Sequence, residues 1–112
     1  MSDGIRACAV TDLAPGTAMV IPEEQTGTGD GIAVFNDEGT FYALDDTCSH
    51  EAASLAEGWI EDGEVECPRH SSRFDLCTGK VLCLPATRGV RAHKVTISDG
   101  DVLVFPNTEP AP

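Results

Sequence analysis

Basic residues are scarce in this chain. Seven Lys and Arg stand against 19 Asp and Glu over 112 residues, a formal charge of −12 at pH 7. That deficit argues against nucleic acid and anionic membranes as partners, since both are bound through basic side chains. Long apolar runs are absent as well: nothing approaches the ~20 consecutive apolar residues of a membrane helix. The opening Met1-Ser2-Asp3-Gly4-Ile5-Arg6 has no basic flank leading into an apolar stretch, so no signal peptide is expected. The cytoplasm is the expected compartment, where thiols stay reduced. Five cysteines are an odd number for a disulfide framework, so they point to metal ligation or burial as small apolar groups.

What is present reads as one globular domain. Hydrophobic residues make up 41% and charged residues 23%, a balance that excludes a disordered chain. A domain of this length buries roughly 65% of its unfolded surface. Turn signals recur at Ala14-Pro15-Gly16, Gly27 to Gly31, Asn36-Asp37-Glu38-Gly39, Glu61-Asp62-Gly63, Thr78-Gly79 and Ser98-Asp99-Gly100. Runs of four to seven residues with β-branched or aromatic content lie between them. Ile32 to Phe35 with Phe41 to Leu44, and Val90 to Ile97 with Val102 to Phe105, read as hairpins. No helical stripe is evident, and Ala52 to Glu57 has room for one short turn only. The expected fold is all-β, an antiparallel sandwich or barrel. Residues 1–106 form its single domain, with a small loop-rich subdomain at about 45–85 and a disordered tail at 107–112. Cys8 is expected in the core, His93 on the surface of a strand, and Trp59 as packing for the subdomain, with a docking role as the alternative.

The chemistry concentrates in the loop-rich stretch. Cys48-Ser49-His50 and Cys67-Pro68-Arg69-His70 form C-x-H, then 16 residues, then C-x2-H. Each loop carries one thiolate donor and one imidazole donor, so together they offer four ligands. Such a set suits a structural Zn²⁺ or a [2Fe–2S] cluster with two Cys on one iron and two His on the other. Zinc modules usually keep both cysteines in one loop and both histidines on a helix. The interleaved order here suits a two-iron cluster, each loop giving one ligand to each iron. No Ser/His/Asp set, phosphate-cradling glycine loop or catalytic carboxylate pair is present in the sequence. No catalytic residue is therefore expected.

Cys48-Ser49-His50-Glu51, the run Cys67 to Asp75, Thr78-Gly79-Lys80 and Leu84-Pro85-Ala86 resemble the Rieske ferredoxins of bacterial aromatic-ring-hydroxylating dioxygenase systems. The similarity runs over about residues 4 to 106, and the two ligand loops are its specific part. The resemblance implies one [2Fe–2S] cluster per chain in a small cluster-binding subdomain. Cys48 and Cys67 would hold the inner iron, His50 and His70 the outer one. It implies a carrier rather than an enzyme, passing electrons from an NAD(P)H-dependent flavoprotein reductase to a terminal oxygenase; a monomer is the separate expectation. Both partners would dock transiently around His50 and His70. Leu84-Pro85 would match a third loop that covers the cluster.

The sequence departs from that pattern at Ser71, where the family usually has glycine. If the position needs positive φ, serine costs ~1 kcal/mol there. Phe74 stands where high-potential Rieske proteins have a tyrosine that donates to a cysteine sulfur. Ser72 keeps the serine that donates to a bridging sulfide. Without the tyrosine donor, the low end of the Rieske span, about −150 to +300 mV, is expected. Two rivals share the ligand set or the fold: a structural zinc interaction module and a small subunit of a nitrite reductase. Cys77 and Cys83 flank Thr78-Gly79-Lys80, but a disulfide between them is disfavoured in a reducing compartment.

Overall fold

Three two-residue turns set the strand pairing. Glu38-Gly39, Asp62-Gly63 and Asp99-Gly100 each hold both residues at positive φ, between 50° and 96°. Type I′ hairpins require this, and their twist matches that of the flanking strands. Gly supplies the second position without steric cost, and Asp or Glu tolerates the first.

The computed structural model describes residues 4–47, 53–68, 72–83 and 89–108. Its strands are β1 (Ile5–Ala9), β2 (Ala18–Ile21), β3 (Ile32–Asp37), β4 (Thr40–Asp45), β5 (Trp59–Glu61), β6 (Glu64–Glu66), β7 (Arg73–Asp75), β8 (Val81–Cys83), β9 (Ala92–Ser98) and β10 (Asp101–Phe105). Six of them form an antiparallel sheet in the order β1-β10-β9-β4-β3-β2. The other four form an antiparallel meander, β5-β6-β7-β8. The all-β antiparallel expectation is met. Both expected hairpins are present, as β3–β4 and β9–β10. The longest helix among the described residues is the single turn α1 (Glu23–Thr26), which ends at Gly27 in the left-handed region (φ 67°). A 3-10 turn occupies Leu55–Glu57, within the stretch expected to hold one.

Strand β3 shows how the core is arranged. Ile32 through Asn36 are all buried, so the strand is covered on both faces. Successive side chains point to opposite faces, and they divide accordingly. Ile32 and Val34 join an apolar cluster with Cys8, Leu13, Ile21, Ala43, Val102 and Val104. Ala33 and Phe35 join Leu44, Leu55, Val65, Cys67, Phe74 and Leu76. The second cluster therefore takes side chains from both sheets and fastens the meander to the large sheet. Cys8 lies in the core as expected, and burial pushes its thiol pKa above the ordinary value, with Asp12 adding to the shift.

Two expectations fail on burial. His93 is 1% exposed rather than on the surface. Its Nε2 lies 2.8 Å from Asp45 Oδ1, and its Nδ1 accepts the Asn107 backbone N–H at 2.9 Å. With both ring nitrogens satisfied, the desolvation cost that normally keeps histidine outside is offset. Trp59 is 62% exposed rather than packed under the subdomain. Its neighbour Ile60 takes the inward position and packs against the shared core. The first two residues of the segment expected as a tail are held in place. Asn107 bonds His93 and the Arg91 side chain, and the Thr108 carbonyl accepts the Lys94 N–H at 2.7 Å. The remainder of that segment, 109–112, lies outside the described residues.

Candidate metal centre

Strand pairing in the meander brings the residues that flank segment 69–71 and the residue before segment 84–88 to one end. In register, Trp59 faces Glu66, Glu66 faces Arg73, and Arg73 faces Cys83. These residues start β5, end β6, start β7 and end β8. Both sides of segment 69–71 and the residue that leads into segment 84–88 consequently adjoin the same end of the sheet. The opposite end carries the Asp62-Gly63 turn and the longer connection from Leu76 to Lys80.

Of the four proposed ligands, Cys67 falls among the described residues, while Cys48, His50 and His70 lie outside them, as do Ser71, Leu84 and Pro85. Cys67 is 1% exposed and is a free thiol. It sits in the shared core with Leu55, Phe74 and Leu76. Its backbone N–H donates to the Ser72 carbonyl at 2.7 Å, which pinches shut the loop that contains His70. Ser72 and Phe74 are fully buried beside it. A thiol held here, out of water at the root of a closed loop, fits a metal–thiolate ligand, which is best protected in an apolar surround.

The first loop is pinned by residues that sequence reasoning did not single out. Thr47 and Ser54 form an isolated antiparallel bridge, drawing together the two sides of segment 48–52. The Asp46 carboxylate accepts the Ser54 hydroxyl at 2.8 Å and the Ala56 N–H at 3.1 Å. The Asp46 carbonyl accepts the Leu55 N–H at 2.7 Å. On the other side, Asp30 accepts the Thr47 hydroxyl at 2.8 Å and its N–H at 3.3 Å. The only signal in the sequence was an Asp-Asp pair, Asp45 and Asp46, just ahead of the first C-x-H motif. Gly58, next to β5, is required by close approach: a Cβ there would run into the Glu66 carbonyl oxygen.

The remaining cysteine and histidine candidates add no ligand. His93 has both nitrogens engaged. Cys77 is free and half-buried, while the Cys83 side chain lies outside the described residues. Among the described residues, no group of three or more His, Cys, Asp or Glu side chains is arranged to hold a metal ion. No helix among them is long and apolar enough to cross a membrane.

Comparison with known proteins agrees with this geometry. Over 108 residues the chain is 44% identical to the 3-phenylpropionate/cinnamic acid dioxygenase ferredoxin subunit of Escherichia coli, covering 95% of this chain and 97% of that protein. The ferredoxin of carbazole 1,9a-dioxygenase from Nocardioides aromaticivorans superposes with a TM-score of 0.84 at 33% identity, covering 95% of this chain and all of that one. A ferredoxin solved in the complex of reduced oxygenase and oxidized ferredoxin in carbazole 1,9a-dioxygenase superposes at 0.82 with 34% identity, over 90% of this chain and all of that one. Residues 4–107 match the Rieske [2Fe-2S] domain. A chain that matches this domain over nearly its full length, and that is 44% identical to a ferredoxin subunit over 95% of its residues, belongs to the Rieske [2Fe–2S] domain family.

Proposed function

We propose that this protein is the ferredoxin component of an aromatic-ring-hydroxylating dioxygenase system. It would take one electron from an NAD(P)H-dependent flavoprotein reductase and deliver it to the terminal oxygenase. The observation that carries this reading is the placement of Cys67, buried directly after β6 at the root of the second candidate loop. Its similarity to ferredoxin subunits, one of them solved with its oxygenase, supports the same reading.

Cys48 and Cys67 would hold one iron, and His50 and His70 the other. When bound, the cluster supplies a site that accepts and returns a single electron. The chain contributes the rest. Burial of Cys67 keeps water from its sulfur, the Cys67–Ser72 bond fixes the second loop, and Asp30 and Asp46 anchor the first. The acidic surface steers encounter with a basic docking patch, an effect that salt screens. A transiently docking monomer of the cytoplasm suits that role, with the partners meeting the chain around His50 and His70.

The test is the purified protein's colour and composition. A red-brown protein with about two irons and two acid-labile sulfides per chain is expected, reduced by NADH once a flavoprotein reductase is added. Cys67→Ala and His70→Ala should each abolish the visible spectrum. A colourless protein with stoichiometric zinc, or a variant that keeps the full spectrum, would refute the assignment.

A further inference from the structure

The outward face of the meander carries an exposed aromatic set among charges. Trp59 is the sole tryptophan and the most exposed of the large hydrophobic side chains described. Alternation along the strands places Trp59, Glu61, Glu64, Glu66 and Arg73 on this face, while Val65 and Phe74 point into the core. These five, with Ile60, line a pocket of about 320 Å³. The Arg73 guanidinium stands 3.1 Å from Glu66, 3.3 Å from Glu64 and 3.9 Å from Glu61. The Glu64 hydrogen bond, with Glu66 behind it, holds Arg73 above its ordinary pKa, so it stays charged.

We propose that this face docks a basic protein surface, one that sets an arginine or lysine against Trp59 and further cations against the three glutamates. The inference rests on the carrier reading and characterises the partner such a carrier meets. One guanidinium against three carboxylates leaves the face acidic. Arg73 also draws the glutamates together, so less ordering remains to be done on binding. A tryptophan face attracts a guanidinium or ammonium, and tryptophan is over-represented among the side chains that dominate binding. Like charge opposes a second copy of this chain as the occupant, since each copy carries −12. Trp59, Glu66 and Arg73 also lie at the loop-bearing end of the meander. A partner seated there lies near Cys67, which directly follows Glu66.

The experiment is a titration of ¹⁵N-labelled holoprotein with cytochrome c, a small basic protein, at low ionic strength. The indole N–H resonance of Trp59 and the amides around Glu61 to Glu64 should shift. Glu61→Gln combined with Glu64→Gln should weaken binding about tenfold, consistent with two lost charge contacts. Glu23→Gln combined with Glu24→Gln, the same charge change on α1, should weaken it less than about twofold. Trp59→Ala should weaken binding severalfold without changing the visible spectrum. Equal losses from the two glutamine pairs, or an indole resonance that stays put at saturation, would overturn the proposal. Binding is read here without electron flow. A protein that binds in this way but never accepts an electron would count against the carrier reading and leave the docking face standing.

Discussion

The Ser54 hydroxyl donates to the Asp46 carboxylate across a 2.8 Å contact, joining the two sides of the segment that holds Cys48 and His50. The same carboxylate oxygen also accepts the Ala56 N–H. Asp46→Ala removes both contacts at once, a loss of about 1–3 kcal/mol, and frees the first ligand loop. Visible absorbance under a ferrous chelator should bleach severalfold faster than in the wild type. Asp46→Asn keeps an acceptor at that point and should lie between the two. Bleaching at the wild-type rate in the alanine variant would show that Asp46 does not hold the loop.

Phe74 sits fully buried, opposite Val65 in register and in one cluster with Cys67. A hydrogen bond to cluster or cysteine sulfur favours the reduced, more negative state, and phenylalanine provides none. The midpoint should fall below roughly +100 mV by protein-film voltammetry. Phe74→Tyr should raise it by about 40 mV, the equivalent of one hydrogen bond of about 1 kcal/mol in a one-electron couple. An unchanged midpoint in that variant would remove Phe74 from the account.

His93 ties three stretches of chain together through Asp45 and Asn107. His93→Leu keeps the bulk but leaves the Asp45 carboxylate and the Asn107 N–H without this partner. Urea denaturation should report a loss of about 2–4 kcal/mol. The visible spectrum should persist in the folded variant, because His93 is no ligand. Loss of the spectrum at full stability would contradict this division of roles.

Alkaline pH should unfold the protein earlier than its acidic composition alone suggests. Burial raises the Cys8 thiol above its ordinary value of 9.0. Burial likewise raises the Tyr42 phenol above 10.0, with Cys77 contributing. Each group is harder to ionise folded than unfolded, so its contribution is complete below the unfolded value. It is lost as pH rises towards the folded one. Thermal midpoints recorded between about pH 7 and pH 11 should start to decline near pH 9. Cys8→Ala should blunt the first part of that decline.

Turn chemistry was the most legible part of this fold. Glu38-Gly39, Asp62-Gly63 and Asp99-Gly100 announce tight hairpins by residue type alone, because few residues accept positive φ. The meander was not legible. Its strands are three residues each, too short for alternation to stand out against the turns, so the stretch read as loop. Cys67 was legible because a thiol three residues before a histidine is a rare pairing with few uses. Trp59 and His93 were misread for one shared reason. Whether a side chain is covered depends on register and on distant partners, and Asp45 lies 48 positions from His93. Asp30 and Asp46 escaped notice because an aspartate at a loop entry looks the same whether it clamps a neighbour or faces water.

The apolar cluster that takes Ala33, Phe35 and Leu44 from one sheet and Val65 and Phe74 from the other bears on transplantation. Cut out with its loops, the four-stranded piece would expose half of that cluster to water and lose the wall against which Cys67 rests. The redox unit is therefore no portable cassette. To move it into another protein, an engineer would have to bring along the central strands of the larger sheet.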